Sequence, residues 1–325
     1  MRIIHESIAA NKAELIAYLP DNSREMPNIK ARPAVLVFPG GGYAMCSERE
    51  GEPIALAYLA HGFSAFVLHY SADAKTNAFP KAFEDAKVAL HNLRENAKEY
   101  GIDPDKIAVA GFSAGGHLAA CLGTMAVEKP NALVLGYPVI LSQWGKNFGR
   151  ELPGADEAVT KETPPTFIFA TQADRIVPIE NSIAFCAALA RVGVSFEQHI
   201  YLDGVHGASL CTAATSGGKA EAVNEEMAAW LPMSVCFLHK LWGDFALIAE
   251  GAVSNQGKLI DTPISQLLEN EKAAKMIESV IPGIRDHLMP GLSLSLRRIA
   301  QFSEGTITEQ KLNAIEEQLR MIMCM

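Results

Sequence analysis

Short apolar runs alternate with longer amphipathic stretches over the first 243 positions of the chain. The runs Ala34–Phe38 (AVLVF), Ser64–Leu68 (SAFVL), Ile107–Ala110 (IAVA), Ala132–Leu135 (ALVL), Thr166–Ala170 (TFIFA) and Phe196–Tyr201 (FEQHIY) predict β-strands. The first five are apolar almost throughout, the pattern of parallel strands covered on both faces. Ala13–Leu19 reads as an earlier, antiparallel strand. Between the runs, Glu52–His61, Lys81–Tyr100 and Ile179–Val192 carry helical patterns that stop at Gly62, Gly101 and Gly193, residues suited to closing a helix. Alternation of this kind predicts an open, mostly parallel α/β sheet flanked by helices, with ligands beyond the carboxyl ends of its strands.

Two segments break the rhythm. The stretch Ser142–Pro165, with a Trp, a Phe, three glycines and three prolines, reads as a lid-like excursion over 142–165. From 244 to 325 no strand pattern remains. Ile264–Glu269, Glu271–Ile281, Leu292–Phe302 and Thr308–Met323 are helical in period, punctuated by Pro263, Pro282-Gly283 and Pro290-Gly291. The expected organisation is therefore an α/β domain over 1–243 and a small all-helical extension over 244–325. About 80 residues hold a core of their own only narrowly, so the extension is expected to pack on the body or on a second copy, giving a homo-oligomer.

Composition narrows the function classes. The 325 residues carry 28 Lys+Arg against 37 Asp+Glu, a net charge of -9. With no basic run, neither nucleic acid nor an anionic membrane surface is expected as a partner. The longest uncharged apolar stretch, Ala132–Leu141, falls well short of the ~20 residues that cross a bilayer. The six cysteines, Cys46, Cys121, Cys186, Cys211, Cys236 and Cys324, form no C-x-x-C pair and no Cys/His cluster. Free thiols and a start without an apolar h-region lead to the expectation of a cytoplasmic protein without a metal.

The chemistry begins at Gly111-Phe112-Ser113-Ala114-Gly115, which follows a predicted strand and precedes a small-residue helix, Gly116–Gly123. G-x-S-x-G at a strand-to-helix turn is a nucleophile elbow, a backbone bend that thrusts the serine hydroxyl out at the top of the sheet. The competing reading is a tight turn with an incidental serine. A serine needs a base, and the order expected on such a sheet is Ser, acid, His. Asp174 follows the strand Thr166–Ala170, and His206 stands in Asp203-Gly204-Val205-His206-Gly207 after the next strand. His206 is then general base and acid, and Asp174 orients it. Asp203 reads as a turn residue, His199 as a strand residue, and His117 has the wrong chain order for the base. His5, His61, His69, His91, His239 and His287 have no acid or serine context in the sequence.

Pro39-Gly40-Gly41-Gly42-Tyr43 follows the strand Ala34–Phe38. The amides of Gly41, Gly42 and Ala114 are the candidate donors of an oxyanion hole. A phosphate loop is the rival reading, but neither G-x-G-x-x-G nor G-x-x-x-x-G-K-[ST] is present; a plain flexible turn is the other.

With these residues in hand, the chain resembles an α/β-hydrolase of the carboxylesterase type, nearest the hormone-sensitive-lipase-like and feruloyl/acetyl-xylan-esterase-like branches. The resemblance rests on PGGGY at 39–43, Phe79-Pro80 to Asp85, GIDPDKIAVAGFSAGGHLA at 101–119, LGYPVI at 135–140, PPTFIFATQADRIVP at 164–178 and DGVHG at 203–207. It covers most of 30–243 and leaves the extension outside. It implies Ser113, Asp174 and His206 as the triad and Gly41, Gly42 and Ala114 as the oxyanion hole. Pro39 stands where the lipase-like branch usually has His, which favours the sugar-ester side. The expected activity is acyl-enzyme hydrolysis of small-molecule esters, acetyl esters of carbohydrates such as acetylated xylo-oligosaccharides, with no cofactor. An amide-cleaving hydrolase (arylformamidase or peptidase-like) and a non-catalytic binding module are the alternatives. Tyr43, Trp144 and Phe148 are candidates to line the alcohol side of the pocket, with burial in the core as the competing reading.

Overall fold

The computed structural model describes residues 1–8, 13–147, 151–246, 259–284, 294–301 and 307–323. It divides into two compact units, Met1–Phe245 and Ala246–Met325. The first unit thus runs two residues past the predicted boundary, because the Phe245 ring lies against Gly62.

The first unit is built on eight strands: β1 (Arg2–Ile8), β2 (Ala13–Leu19), β3 (Arg32–Phe38), β4 (Ser64–His69), β5 (Ile102–Phe112), β6 (Ala132–Gly136), β7 (Thr166–Thr171) and β8 (Phe196–Tyr201). They lie in the order β1-β2-β4-β3-β5-β6-β7-β8. β1 pairs antiparallel with β2, and β2 with β4; all other pairs are parallel. β1 has no counterpart in the sequence reading. Its residues, RIIHESI, are mostly exposed, since an edge strand needs a partner on one side only.

The helices are α1 (Glu52–Ala60), α2 (Phe79–Glu95), α3 (Ala97–Tyr100), α4 (Ala114–Met125), α5 (Ser142–Asn147), α6 (Glu180–Val192), α7 (Glu225–Ala228) and α8 (Trp230–Trp242). The helix predicted over Lys81–Tyr100 starts earlier, with Pro80 in its first turn, and is interrupted at Asn96. There the side-chain amide donates back to the Asn92 carbonyl at 3.0 Å, the local bonding by which Asn competes with a helix backbone. Helix α8, with the largely apolar run WLPMSVCFLHKLW, has no counterpart among the predicted helices.

Period-two alternation sends successive strand residues to opposite faces. Ala34, Leu36 and Phe38 join one apolar core with residues of α2, α4 and α6. Val35 and Val37 join the other with Ile54 and Tyr58 of α1 and Trp230 and Leu238 of α8. The parallel strands β3, β4, β6 and β7 are buried on both faces, which is why they read as continuous apolar runs, whereas β8, at the opposite edge from β1, is partly exposed.

The second unit contains α9 (Ile264–Leu268), α10 (Glu271–Val280), α11 (Leu296–Gln301) and α12 (Glu309–Met323). It has an apolar core of its own, including Ile260, Ile264, Leu267, Ile277, Leu296, Ile315 and Leu319. The predicted helix Leu292–Phe302 is described from Leu296 to Gln301 only. Among the described residues no helix is long and apolar enough to cross a membrane.

Candidate active site

The nucleophile candidate sits where β5 turns into α4. Ser113 has φ 53° and ψ −116°, a conformation L-residues rarely adopt. The turn is possible because its flanking glycines lack side chains. A Cβ on Gly111 would run into the Gly115 carbonyl, and one on Gly115 into the Phe38 carbonyl of the neighbouring strand. The Ser113 amide donates to the Gly136 carbonyl at 3.0 Å, and its carbonyl accepts from His117 and Val139 at 3.0 and 3.1 Å, so the bend is fixed on three sides.

The other two residues come from the carboxyl ends of later strands. His206 Nε2 stands 2.8 Å from Ser113 Oγ, and His206 Nδ1 stands 2.7 Å from Asp174 Oδ2. The second oxygen of Asp174 accepts from the amides of Ile176 and Val177 at 2.8 and 2.9 Å. The Asp174 side chain is fully buried and that of His206 nearly so. Acid, imidazole and hydroxyl are thus joined in one line over 93 residues of sequence, in the arrangement that lets an imidazole take a serine proton.

A cavity of about 940 Å³ opens above them, lined by Gly41, Gly42, Ser113, Ala114, Val139 and His206 among others. The amides of Gly41, Gly42 and Ala114 have no acceptor among the described residues and border this cavity. The amide of Gly40 is different, since it donates to Glu50 Oε2 at 2.9 Å. Only the second and third glycines of the run therefore have donors free for a ligand.

The predicted aromatic wall is only partly seen. Trp144, on α5, borders the cavity together with Gly145 and Leu152 of the same excursion. Tyr43 borders it too, but its side chain is buried and its hydroxyl is 2.8 Å from His117 Nδ1. Phe148 lies outside the described residues. His117 is not placed as a base. Fully buried, with its ring pushed down to about 4 by desolvation, it is neutral. Its Nε2 donates to the Pro153 carbonyl at 2.9 Å and its Nδ1 accepts from Tyr43, so it ties α4 to the excursion and to the glycine loop. His199 pairs with Glu197 beside Phe167, and the Asp203 carbonyl accepts from Asn224 in a turn. His5 and His91 do have acid partners, Glu14 and Glu128, both on the surface and away from any serine of the site. Among the described residues no group of acids, histidines and cysteines is arranged to hold a metal.

The structure of MGS-M1, an alpha/beta hydrolase enzyme from a Medee basin deep-sea metagenome library, is 41% identical to this chain, with a TM-score of 0.70 over 74% of this chain and 98% of that one. The chain belongs to the α/β-hydrolases. Within that family it lies on the carboxylesterase branch. The BD-FAE family model matches residues 17–136, and the prolyl oligopeptidase family model matches 142–232. Endo-1,4-beta-xylanase B of Butyrivibrio fibrisolvens is 35% identical over 212 residues, 55% of this chain and 33% of that protein. The acetylxylan esterase of Xylanibacter ruminicola is 32% identical over 218 residues, 60% of this chain and 44% of that protein. The chain thus spans a third to under a half of the length of these two curated relatives.

Two residues of this α/β-hydrolase that touch the site carry no catalytic signal in the sequence. Glu50, in a 3-10 turn over Glu48–Glu50, is 2% exposed. Tyr137, just past β6, is equally buried and packs its ring edge-on against His206 with centroids 5.0 Å apart. Its hydroxyl donates to Glu50 Oε1 at 2.6 Å. Burial first, and the Glu50 carboxylate second, push its phenol well above the ordinary range, so it stays a donor. Tyr137 lies within the LGYPVI run at 135–140, which by itself gives it no role, and Glu50 lies in none of the runs that carry the resemblance. Like Ser113, the residues Tyr43, Tyr137, Ser209 and Cys211 have positive φ; Ser113 and Tyr43 line the cavity, Tyr137 packs on His206, and the Ser209 amide donates to the Tyr137 hydroxyl.

Proposed function

We propose that the chain is a serine carboxylic-ester hydrolase that works through an acyl-enzyme on small acyl esters, acetyl esters of carbohydrates such as acetylated xylo-oligosaccharides. The observation that carries it is His206, hydrogen-bonded to Ser113 Oγ on one side and to Asp174 on the other. In the reaction His206 Nε2 takes the Ser113 proton as Oγ attacks the ester carbonyl. The carbonyl oxygen, now an anion, is held by the amides of Gly41, Gly42 and Ala114. The tetrahedral species collapses, the carbon–oxygen bond to the alcohol breaks, and His206 hands the alcohol its proton. Water, deprotonated by the same imidazole, then releases the acid and restores Ser113.

The carbohydrate ester is supported by the acetylxylan esterase and xylanase names of the two relatives and by the PGGGY run. A cavity of about 940 Å³ suits a small molecule, for which sites of roughly 300–1,000 Å³ are usual. The match to the prolyl oligopeptidase family over 142–232 favours an amide as the second reading, because the same triad cleaves both.

The test measures acetate released from acetylated xylo-oligosaccharides, hydrolysis of p-nitrophenyl acetate, and cleavage of an aryl amide, each with wild type and Ser113→Ala. Both esters are expected to turn over, with the variant slower by about 10⁴-fold or more and still folded. Turnover retained in Ser113→Ala overturns the serine mechanism. Turnover of the chromogenic ester alone removes the sugar, and amide turnover above ester turnover favours the second reading.

A further inference from the structure

The buried carboxylate of Glu50 has no part in the triad, yet it touches both halves of the site. Its Oε2 accepts from the Gly40 amide at 2.9 Å, one residue before the candidate oxyanion donors. Its Oε1 accepts from the Tyr137 hydroxyl at 2.6 Å, and that hydroxyl accepts in turn from the Ser209 amide at 3.0 Å, three residues after His206. The turn that carries Glu50 is bound to both loops a second time. The Ser47 amide donates to the Gly40 carbonyl at 2.9 Å, Arg49 donates to the Gly207 carbonyl at 3.0 Å, and Ser209 Oγ donates to the Arg49 carbonyl. Among the described residues no cation stands within ion-pair distance of Glu50. A buried charge with no counter-ion costs stability, so its hydrogen bonds are what keep it there.

The polarity of the chain of bonds leaves room for one side-chain type. Gly40 N–H and Tyr137 O–H both point at residue 50, and Ser209 N–H points at Tyr137. Residue 50 must therefore accept twice and donate nowhere. A carboxylate does that; an amide offers one acceptor and one donor, so glutamine leaves either the Gly40 amide or the phenol proton without a partner.

We propose that Glu50 is a positioning residue that, through Tyr137, locks the oxyanion loop and the His206 loop into one register, so that oxyanion donors and base meet the same tetrahedral carbon. The proposal rests on the serine-hydrolase reading above. Because the lock sets the donors and base that meet the tetrahedral species, its loss falls on kcat more than on KM.

The experiment measures kcat and KM for p-nitrophenyl acetate with the full chain as wild type, Glu50→Gln, Tyr137→Phe and the double variant, each checked for fold by circular dichroism and thermal unfolding. Glu50→Gln is expected to lower kcat by about 10- to 100-fold and Tyr137→Phe by about tenfold, with KM within about twofold. The double variant is expected to be no slower than Glu50→Gln, since both break one chain of bonds. If Glu50→Gln does not fold, Tyr137→Phe, which keeps the Gly40 bond, decides. A folded Tyr137→Phe with kcat within about twofold of wild type, losses carried by KM, or additive losses overturn the coupling. A wild type inert toward the ester overturns the hydrolase reading together with this one, whereas an active wild type with indifferent variants overturns this one alone.

Discussion

Each of the two units buries a glutamate, and the two are held differently. In the helical unit Glu316 lies on α12, 6% exposed; its Oε2 accepts from the Ile260 amide at 2.9 Å and its Oε1 from Arg320 Nε at 2.7 Å, one helical turn on. The charge has a cation, and the bond to Ile260 closes the end of a 3-10 turn. Glu50 in the α/β unit has only neutral donors. A carboxylate that needs nothing more than stability is better placed beside an arginine, as Glu316 is. One left with backbone and phenol donors beside a candidate base is accounted for by position and not by stability. The contrast extends to the rest of the polar interior. The helical unit buries an apolar core with few polar groups, whereas the α/β unit buries Asp174, His117, Glu50 and Tyr137.

The sharpest way to test that contrast is at Asp174. Its two oxygens serve His206 and two backbone amides, so Asp174→Asn keeps the shape and spoils the donor pattern. Ester kcat is expected to fall by about 10³- to 10⁴-fold with the thermal midpoint little changed, read by kinetics and calorimetry on one preparation. The reverse is expected in the helical unit. Ile277→Ala, at a fully buried position of α10, is expected to cost about 2–5 kcal/mol of that unit's stability by urea unfolding while ester kcat/KM stays within about twofold. A large kinetic effect there would erase the distinction between the units.

A smaller effect comes from His117. Its folded-state value of about 4 lies below the ordinary 6.5 because burial disfavours the cation. Between those two values the unfolded chain binds more protons than the folded one, so stability is full above about pH 6.5 and declines as the pH falls toward 4, by up to about 3 kcal/mol. Urea unfolding at pH 7 and pH 4 is expected to show a drop in wild type that is smaller by about this amount in His117→Gln. Equal drops would show that His117 is not buried neutral.

What could be read in the sequence follows from how local each feature is. The inner parallel strands β3, β4, β6 and β7 announce themselves because both faces are covered; β1 does not, because an edge strand with RIIHESI shows no apolar run. Ser113, Asp174 and His206 were legible because each follows a strand within a few residues and falls in the expected order. The division of the glycine run was not. That Gly40 is committed and Gly41 and Gly42 are free depends on a carboxylate ten residues away. Glu50 and Tyr137 meet across 87 residues, and Tyr43 and His117 across 74. No spacing rule connects such pairs, since only the assembled sheet brings β3, β5 and β6 side by side.

The backbone of this site also has an evolutionary consequence. Tyr43, Ser113, Tyr137 and Ser209 hold φ between 36° and 59°, where non-glycine residues each cost about 1–3 kcal/mol. A selection for heat resistance alone would find relief at these four positions sooner than in the well-packed sheet, for example by glycine at 209. Each such relief would loosen the frame around His206, so gains in melting temperature taken there are expected to be repaid in turnover, and a thermostable descendant that remains fast would have to draw its stability from elsewhere.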